Sequence, residues 1–326
     1  MQWLRRTCGA VLAVMLSLTA LAQAQAQDYP TRPVTITVCF PPGASTDTIA
    51  RRIAERLTNS LGRPVVVDNR GGAGGNIAAS LVAKAPPDGH SLLFCATAGL
   101  VIAAAARSPL DFDPQRDLAP VAPVGALTVL LITRLSLPVQ NLQEFLAYTR
   151  ARPSQLNFAS IGVGSSFHLG LEQINAAAGV VMTHIPFRGG GQAVPELLAG
   201  RLDAMFASWS LAKPHVQAGT VRALAVAGDE RYAELPNVPT LAEAGLPGIW
   251  VQENLGFFAP GGTPVPVVAR LNAEITRIIG DPVLGAWLIA QGVPPAPKSP
   301  EAFRIELQTG VSTIEALIRR MDLKLE

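Results

Sequence analysis

Val34-Thr35-Ile36-Thr37-Val38-Cys39-Phe40, then Pro41-Pro42-Gly43, then Ala44-Ser45-Thr46-Asp47: this stretch decides the fold. The first seven residues are β-branched and apolar, as in a buried strand. Two prolines and a glycine break the run. Ile49, Ile53 and Leu57 then recur every fourth residue, which is one face of a helix. A chain built from strand, loop and helix in this order is predicted to be α/β with parallel sheets.

The same grammar extends in both directions. Pro64-Val65-Val66-Val67-Asp68 reads as a second strand, Gly71-Gly72-Ala73-Gly74-Gly75 as a tight turn, and Asn76 as the start of a short helix. Pro86-Pro87-Asp88-Gly89 is a turn, and Leu92-Leu93-Phe94-Cys95 a third strand. The order then returns. Leu156-Asn157-Phe158-Ala159 is a strand, Ser160-Ile161-Gly162-Val163-Gly164-Ser165-Ser166 a loop, and a helix starts near Ser165 or Ser166. Thr183 to Phe187 is another strand, followed by Arg188-Gly189-Gly190-Gly191. Ala204-Met205-Phe206 and Val221 to Val226 add two more. Val124 to Ile132 reads as one strand leaving the first unit, and Leu255 to Pro260 as the return. Two similar lobes are predicted, 27–124 with 253–326 and 125–252. Helices around Val267–Ile279 and Glu301–Met321 would cover the first lobe.

The N-terminus predicts export. Arg5 and Arg6 precede an apolar run from Val11 to Leu21, and an Ala-x-Ala series ends at Ala26. This is the order of a cleaved secretory signal, assigned to residues 1–26, and the run is too short for a spanning helix. The whole chain has 26 basic and 24 acidic residues. Loss of Arg5 and Arg6 leaves the two signs balanced, so nothing suggests nucleic acid or an acidic membrane surface. The remaining Cys39 and Cys95 end two strands. They are either a disulfide, should the third strand lie beside the first, or two small buried side chains.

Two loops carry the candidate chemistry. Phe40 to Asp47 ends a strand and opens a helix. Ser45 or Thr46 is expected to cap that helix, whose free N–H groups and dipole favour an anion. Ser160 to Ser166 offers the same arrangement from the second unit, with glycines for close backbone approach. Facing each other, the two would clamp a carboxylate without any arginine. The Gly71–Gly75 run lacks a third glycine at Ile77 and any Lys-Ser or Lys-Thr, so neither a dinucleotide nor a nucleotide triphosphate is expected there, and no cofactor is assigned. A hydrolase built on Ser165 or Ser166 with His168 is the competing reading. Phe167 stands where a Gly-x-Ser-x-Gly motif needs its second glycine, and His168 is expected to brace the loop instead. His90, His184 and His215 show no metal-ligand spacing.

At these loops the chain resembles the Bug/TctC family of substrate-binding proteins of tripartite tricarboxylate transporters. The resemblance rests on Tyr29-Pro30-Thr31-Arg32-Pro33, Phe40-Pro41-Pro42-Gly43 with Ser45-Thr46-Asp47, and Asp68-Asn69-Arg70 with Gly72-Ala73-Gly74-Gly75-Asn76. It continues through Gly164-Ser165-Ser166 with His168-Leu169, Ile185-Pro186-Phe187-Arg188-Gly189-Gly190, Leu235 to Thr240 and Ala259 to Pro264. It implies a periplasmic, two-lobed Venus-flytrap fold, type II-like, with two interlobe crossings and a closing hinge. It also implies capture of a small carboxylate for membrane transporter subunits, without catalysis, by a chain expected to be a monomer. A ligand sensor that signals to a membrane partner is the alternative. The implied ligand-binding set is Phe40, Gly43, Ala44, Ser45, Thr46, Asp47, Asn76, Ser160, Gly164, Ser165, Ser166, His168, Phe187, Gly189 and Asp203. The chain departs from the family pattern at Cys39, where Pro is expected, at Ala44, which replaces Gly, at Phe187-Arg188, at Gln192, and at Glu253-Asn254, a stretch often aromatic.

Overall fold

The computed structural model describes residues 29–107 and 109–321. The expected signal lies outside them. One five-stranded sheet is made of β1 (Val34–Val38), β2 (Val65–Asn69), β3 (Ser91–Ala96), β4 (Leu118–Ala126) and a late strand, β10 (Asn254–Pro260), in the order β2-β1-β3-β10-β4. The other is made of β5 (Val129–Arg134), β6 (Asn157–Ser160), β7 (Thr183–Pro186), β8 (Ala204–Ser208) and β9 (Val221–Ala227), in the order β7-β6-β8-β5-β9.

Neither sheet is wholly parallel, which corrects the sequence expectation. β10 runs antiparallel to β3 and β4, and β5 antiparallel to β8 and β9. Each reversed strand is the one that enters its sheet from the other lobe, so it starts at the shared edge and runs outward. The expected single strand from Val124 to Ile132 is also two, β4 and β5, broken at Leu127-Thr128. The break is where the chain changes sheets. It is held by Leu127 N, which donates to Glu253 O at 2.9 Å, and by Thr128 N, which donates to Gly292 O at 2.7 Å. Both crossings therefore touch at one point.

The helices are α1 (Ser45–Leu61), α2 (Asn76–Ala83), α3 (Ala98–Ala105), α4 (Leu142–Arg150), α5 (Ser166–Ala178), α6 (Gly190–Leu198), α7 (Trp209–Gln217), α8 (Val265–Ile279), α9 (Pro282–Ala290) and α10 (Pro300–Met321). α1 buries Ile49, Ile53 and Leu57 against the first sheet, the stripe read from the sequence. α8 and α10 pack on that sheet as expected; α9, capped by Asp281, was not foreseen. Phe94 stacks on Phe257 at 4.4 Å in the first core, and Phe158 meets Phe206 edge-on at 5.5 Å in the second.

The cysteine question is settled by the strand order. β3 lies beside β1, with Val38 opposite Phe94. One residue further on, Cys39 and Cys95 are joined by a disulfide, their Cα atoms 5.3 Å apart. Both are fully buried. The bond sits under the first loop, and a Cβ on Gly75 would lie 2.7 Å from Cys95 Sγ. That is why the turn over the disulfide is glycine.

Candidate functional site

Four helices begin at one cavity. Ser45 and Thr46 of α1, Phe167 of α5, Gly190 and Gly191 of α6, and Leu211 of α7 line it, with Phe40, Ala44, Leu127, Ile161, Ala207, Ser208 and Glu253. Each helix follows the carboxyl end of a strand, where open α/β sheets bind ligands. The first N–H groups of a helix have no internal partner, and the helix dipole favours an anion beside them. Among the described residues no side chain caps α1, α6 or α7. α5 is capped by Ser165, whose Oγ accepts from His168 N at 3.3 Å.

The cavity is narrow, about 60 Å³, because the lobes touch across it. Ser45 Oγ lies 2.9 Å from Ser208 Oγ and 2.6 Å from Ser210 Oγ. A Cβ on Gly162 would lie 3.3 Å from Gly74 N, and one on Gly189 would lie 3.2 Å from Pro41 Cδ. A far larger hollow, about 600 Å³, lies on another face between Trp250, Leu317 and Arg320. None of the assigned helices begins there, so it lacks the oriented donors that distinguish the small cavity.

The first loop is braced from within. Gly43 takes φ +82°, which favours glycine, whereas Ala44 is extended at φ −66° and ψ 158°. The Gly-to-Ala departure therefore costs no backbone strain. Ala44 is the N-cap residue, so Ser45 is already helical and its hydroxyl turns across the cleft. The expected capping by Ser45 or Thr46 is not found. Asp47 is buried. It accepts from Gly43 N at 2.9 Å, from Asn69 Nδ2 at 2.9 Å and from Arg51 Nε at 2.9 Å. Burial pushes its carboxyl up, but these hydrogen bonds outweigh burial and hold it below the usual range. Asn76 opens α2 behind the loop, and its buried Oδ1 has no hydrogen-bond partner among the described residues.

The second loop is braced in the same way. Ser160 Oγ and His184 Nε2 are 2.6 Å apart, Ser165 Oγ donates to Gly162 O at 2.6 Å, and Ser166 Oγ donates to Glu253 Oε1. Gly164, at φ +74°, donates its N–H to His168 Nδ1 at 3.3 Å. The three serine hydroxyls are thus engaged within the protein, as are the N–H groups of Gly162, Gly164 and Ser165. Among the described residues neither the Ser165 nor the Ser166 hydroxyl bonds the His168 ring. Phe187 N donates to Ser160 O at 3.0 Å, and Gly189 precedes α6.

Asp203 is not brought to the cavity. It precedes β8 at the opposite end of the strand from Ser208. Its carboxylate takes Arg134 Nε and Asn157 N, each at 2.8 Å, so it ties strands together at the far rim. Ser208 and Ser210 escaped the sequence reading. Their signal was present: Phe206-Ala207-Ser208-Trp209-Ser210 is again a strand end running into a helix start. Leu127, Ile161, Phe167 and Leu211 give no such local sign, since any of them reads as core. Among the described residues no group of three or more His, Cys, Asp or Glu side chains could hold a metal ion.

The titratable groups at the second loop are displaced by burial. His168 and His184 stack at 4.1 Å. Burial, then the neighbouring His168, lowers His184 to about 4, and burial lowers His168 despite Glu172. An unfolded His184 binds a proton below its ordinary 6.5 while the folded one does not, so its contribution is complete above pH 6.5 and is lost as pH falls towards 4. Relative to wild type, His184→Gln is expected to gain about 1–2 kcal/mol over that interval, allowing for the ring's partial exposure. Chemical denaturation at pH 7, 5.5 and 4 checks this, and a constant difference refutes it.

Residues 49–323 match the tripartite tricarboxylate transporter family receptor. Protein BugT of Bordetella pertussis is 33% identical over 319 residues, covering 97% of this chain and 98% of its own. A Rhodopseudomonas palustris protein solved with adipate superposes with a TM-score of 0.86 at 33% identity, over 90% of this chain and 99% of its own. MatC from the same species, solved with malate, gives a TM-score of 0.84 at 36% identity, over 89% and 100%. The two lobes, the crossings and the family match agree: the chain belongs to the tripartite tricarboxylate transporter receptor family and is a periplasmic solute-binding receptor of the TctC/Bug type.

Proposed function

We propose that this receptor captures a small carboxylate between its lobes and delivers it, chemically unchanged, to membrane transporter subunits. One observation carries the reading: four helix starts, three without a side-chain cap, converge on a single cavity between the two sheets. A charge-assisted hydrogen bond contributes about 1.5–3 kcal/mol, while desolvating a carboxylate costs several. Several converging N–H donors are needed to leave the roughly 8 kcal/mol of a micromolar complex, and the four helix starts supply them without a cation. Relatives solved with adipate and malate support a carboxylate ligand. The ligand enters when the lobes part, since 60 Å³ is far below the roughly 300 Å³ of an ordinary ligand pocket.

The test uses Gly43 and Gly164. A Cβ at either meets nothing within 4 Å, so the first atom of a larger side chain is accommodated without a clash. The positive φ adds strain of about 1–3 kcal/mol, which the fold should tolerate. Gly43→Trp and Gly164→Trp are expected to retain cooperative unfolding but lose the thermal shift that wild type shows with its ligand. That ligand is identified by scanning di- and tricarboxylates, amino acids and aromatic acids. Normal binding by both variants refutes the clamp. Loss of carboxylate uptake in a strain lacking the gene, restored by wild type and not by these variants, tests delivery.

A further inference from the structure

We propose that Glu253 selects, among small carboxylates, those that also carry an ammonium or quaternary ammonium group, namely amino acids and betaines. The inference rests on the carboxylate-capture reading above and names the ligand class within it. Glu253 is the one ionisable residue among the described residues that line the cavity, and it is only 3% exposed. It enters from the second interlobe crossing, and its carbonyl oxygen accepts Leu127 N of the first crossing, so the backbone there is anchored. Among the described residues its carboxyl has one hydrogen-bond donor, the neutral hydroxyl of Ser166. Among the described residues no lysine, arginine or histidine lines the cavity to balance it.

A site of this kind is poorly suited to a plain dicarboxylate. A second negative charge enclosed with Glu253 would repel it, in surroundings where charges are weakly screened. A ligand that brings its own cation removes the conflict. Its carboxylate lies against the helix starts, and its ammonium pairs with Glu253. Phe40 and Phe167 line the same cavity, and aromatic faces attract ammonium groups. Acid and rings together form the surroundings that cationic nitrogen prefers.

The test is isothermal titration of the full mature chain at pH 8 with matched pairs: glutamate against glutarate, 4-aminobutanoate against butanoate, and glycine betaine against 3,3-dimethylbutanoate. In at least one pair the nitrogen-bearing member is expected to bind at least tenfold more tightly. Glu253→Gln should lose tenfold or more for that member, with its nitrogen-free partner unchanged or improved. Two results overturn the inference while leaving carboxylate capture intact: tighter binding of the plain carboxylates throughout, or full retention of the preference in Glu253→Gln. Absence of binding by every carboxylate in the wider panel would overturn both readings.

Discussion

Replacing Cys39 and Cys95 together by alanine should cost about 4 kcal/mol of stability, the largest loss expected from any change outside the cavity. The argument is chain entropy. The bridge spans a sequence separation of 56, and closing a loop of that length removes about 4 kcal/mol of freedom from the unfolded chain. A drop in Tm on the order of 10 °C follows for a chain of this size. Because both residues are fully buried, reductant should have little effect on the native protein and a full effect once it is denatured. The loss should also reach the cleft. The bond lies directly before Phe40 and under Gly75, so ligand affinity should fall in the double variant even where it remains folded. Urea denaturation of wild type and double variant, each with and without reductant, measures the effect. A difference below about 1 kcal/mol would show that the native geometry offsets the entropic gain.

The second large effect is a gain. Burial raises the Glu253 carboxyl from its ordinary 4.5 to about 7, opposed only in part by the Ser166 hydroxyl. Below pH 4.5 the group is protonated whether folded or not, and its contribution to stability is complete. Between 4.5 and 7 the unfolded chain releases the proton while the folded chain holds it, so stability is lost as pH rises. That interval corresponds to about 3 kcal/mol. Glu253→Gln keeps an oxygen for Ser166 and cannot ionise. It should therefore be more stable than wild type by about 3 kcal/mol at pH 8 and no more stable at pH 4. Equal gains at both values would mean that packing, not charge, is responsible. A stability cost carried at the cavity fits the ligand-binding role proposed above for Glu253. This is the setting in which function and stability trade against one another.

The deciding stretch from Val34 to Asp47 was legible because its signals are local. β-branched residues make the strand, two prolines and a glycine break it, and the four-residue recurrence of Ile49, Ile53 and Leu57 makes the helix face. The same rules placed β6 and α5 and pointed to both loops. They failed where the outcome depends on what lies opposite. Asp47 was expected to face the ligand, yet Gly43, Arg51 and Asn69 claim its carboxylate. Ser45 was expected to cap its helix, yet its hydroxyl meets Ser208 and Ser210 from the other lobe. Asp203 lies at the far rim of its sheet, since its strand carries it away from the end that meets the cavity.

The sequence alone thus determined the alternation of strands and helices, the two lobes and the loops at which helices start. These depend on residues a few positions apart, whose spacing is written in the chain. Tertiary structure alone decided that β5 and β10 run against their neighbours, that Cys39 meets Cys95, and that four helix starts share one cavity with Glu253 inside it. Those outcomes depend on contacts between distant segments, where chain path and burial choose a side chain's partners and its spacing in the sequence does not.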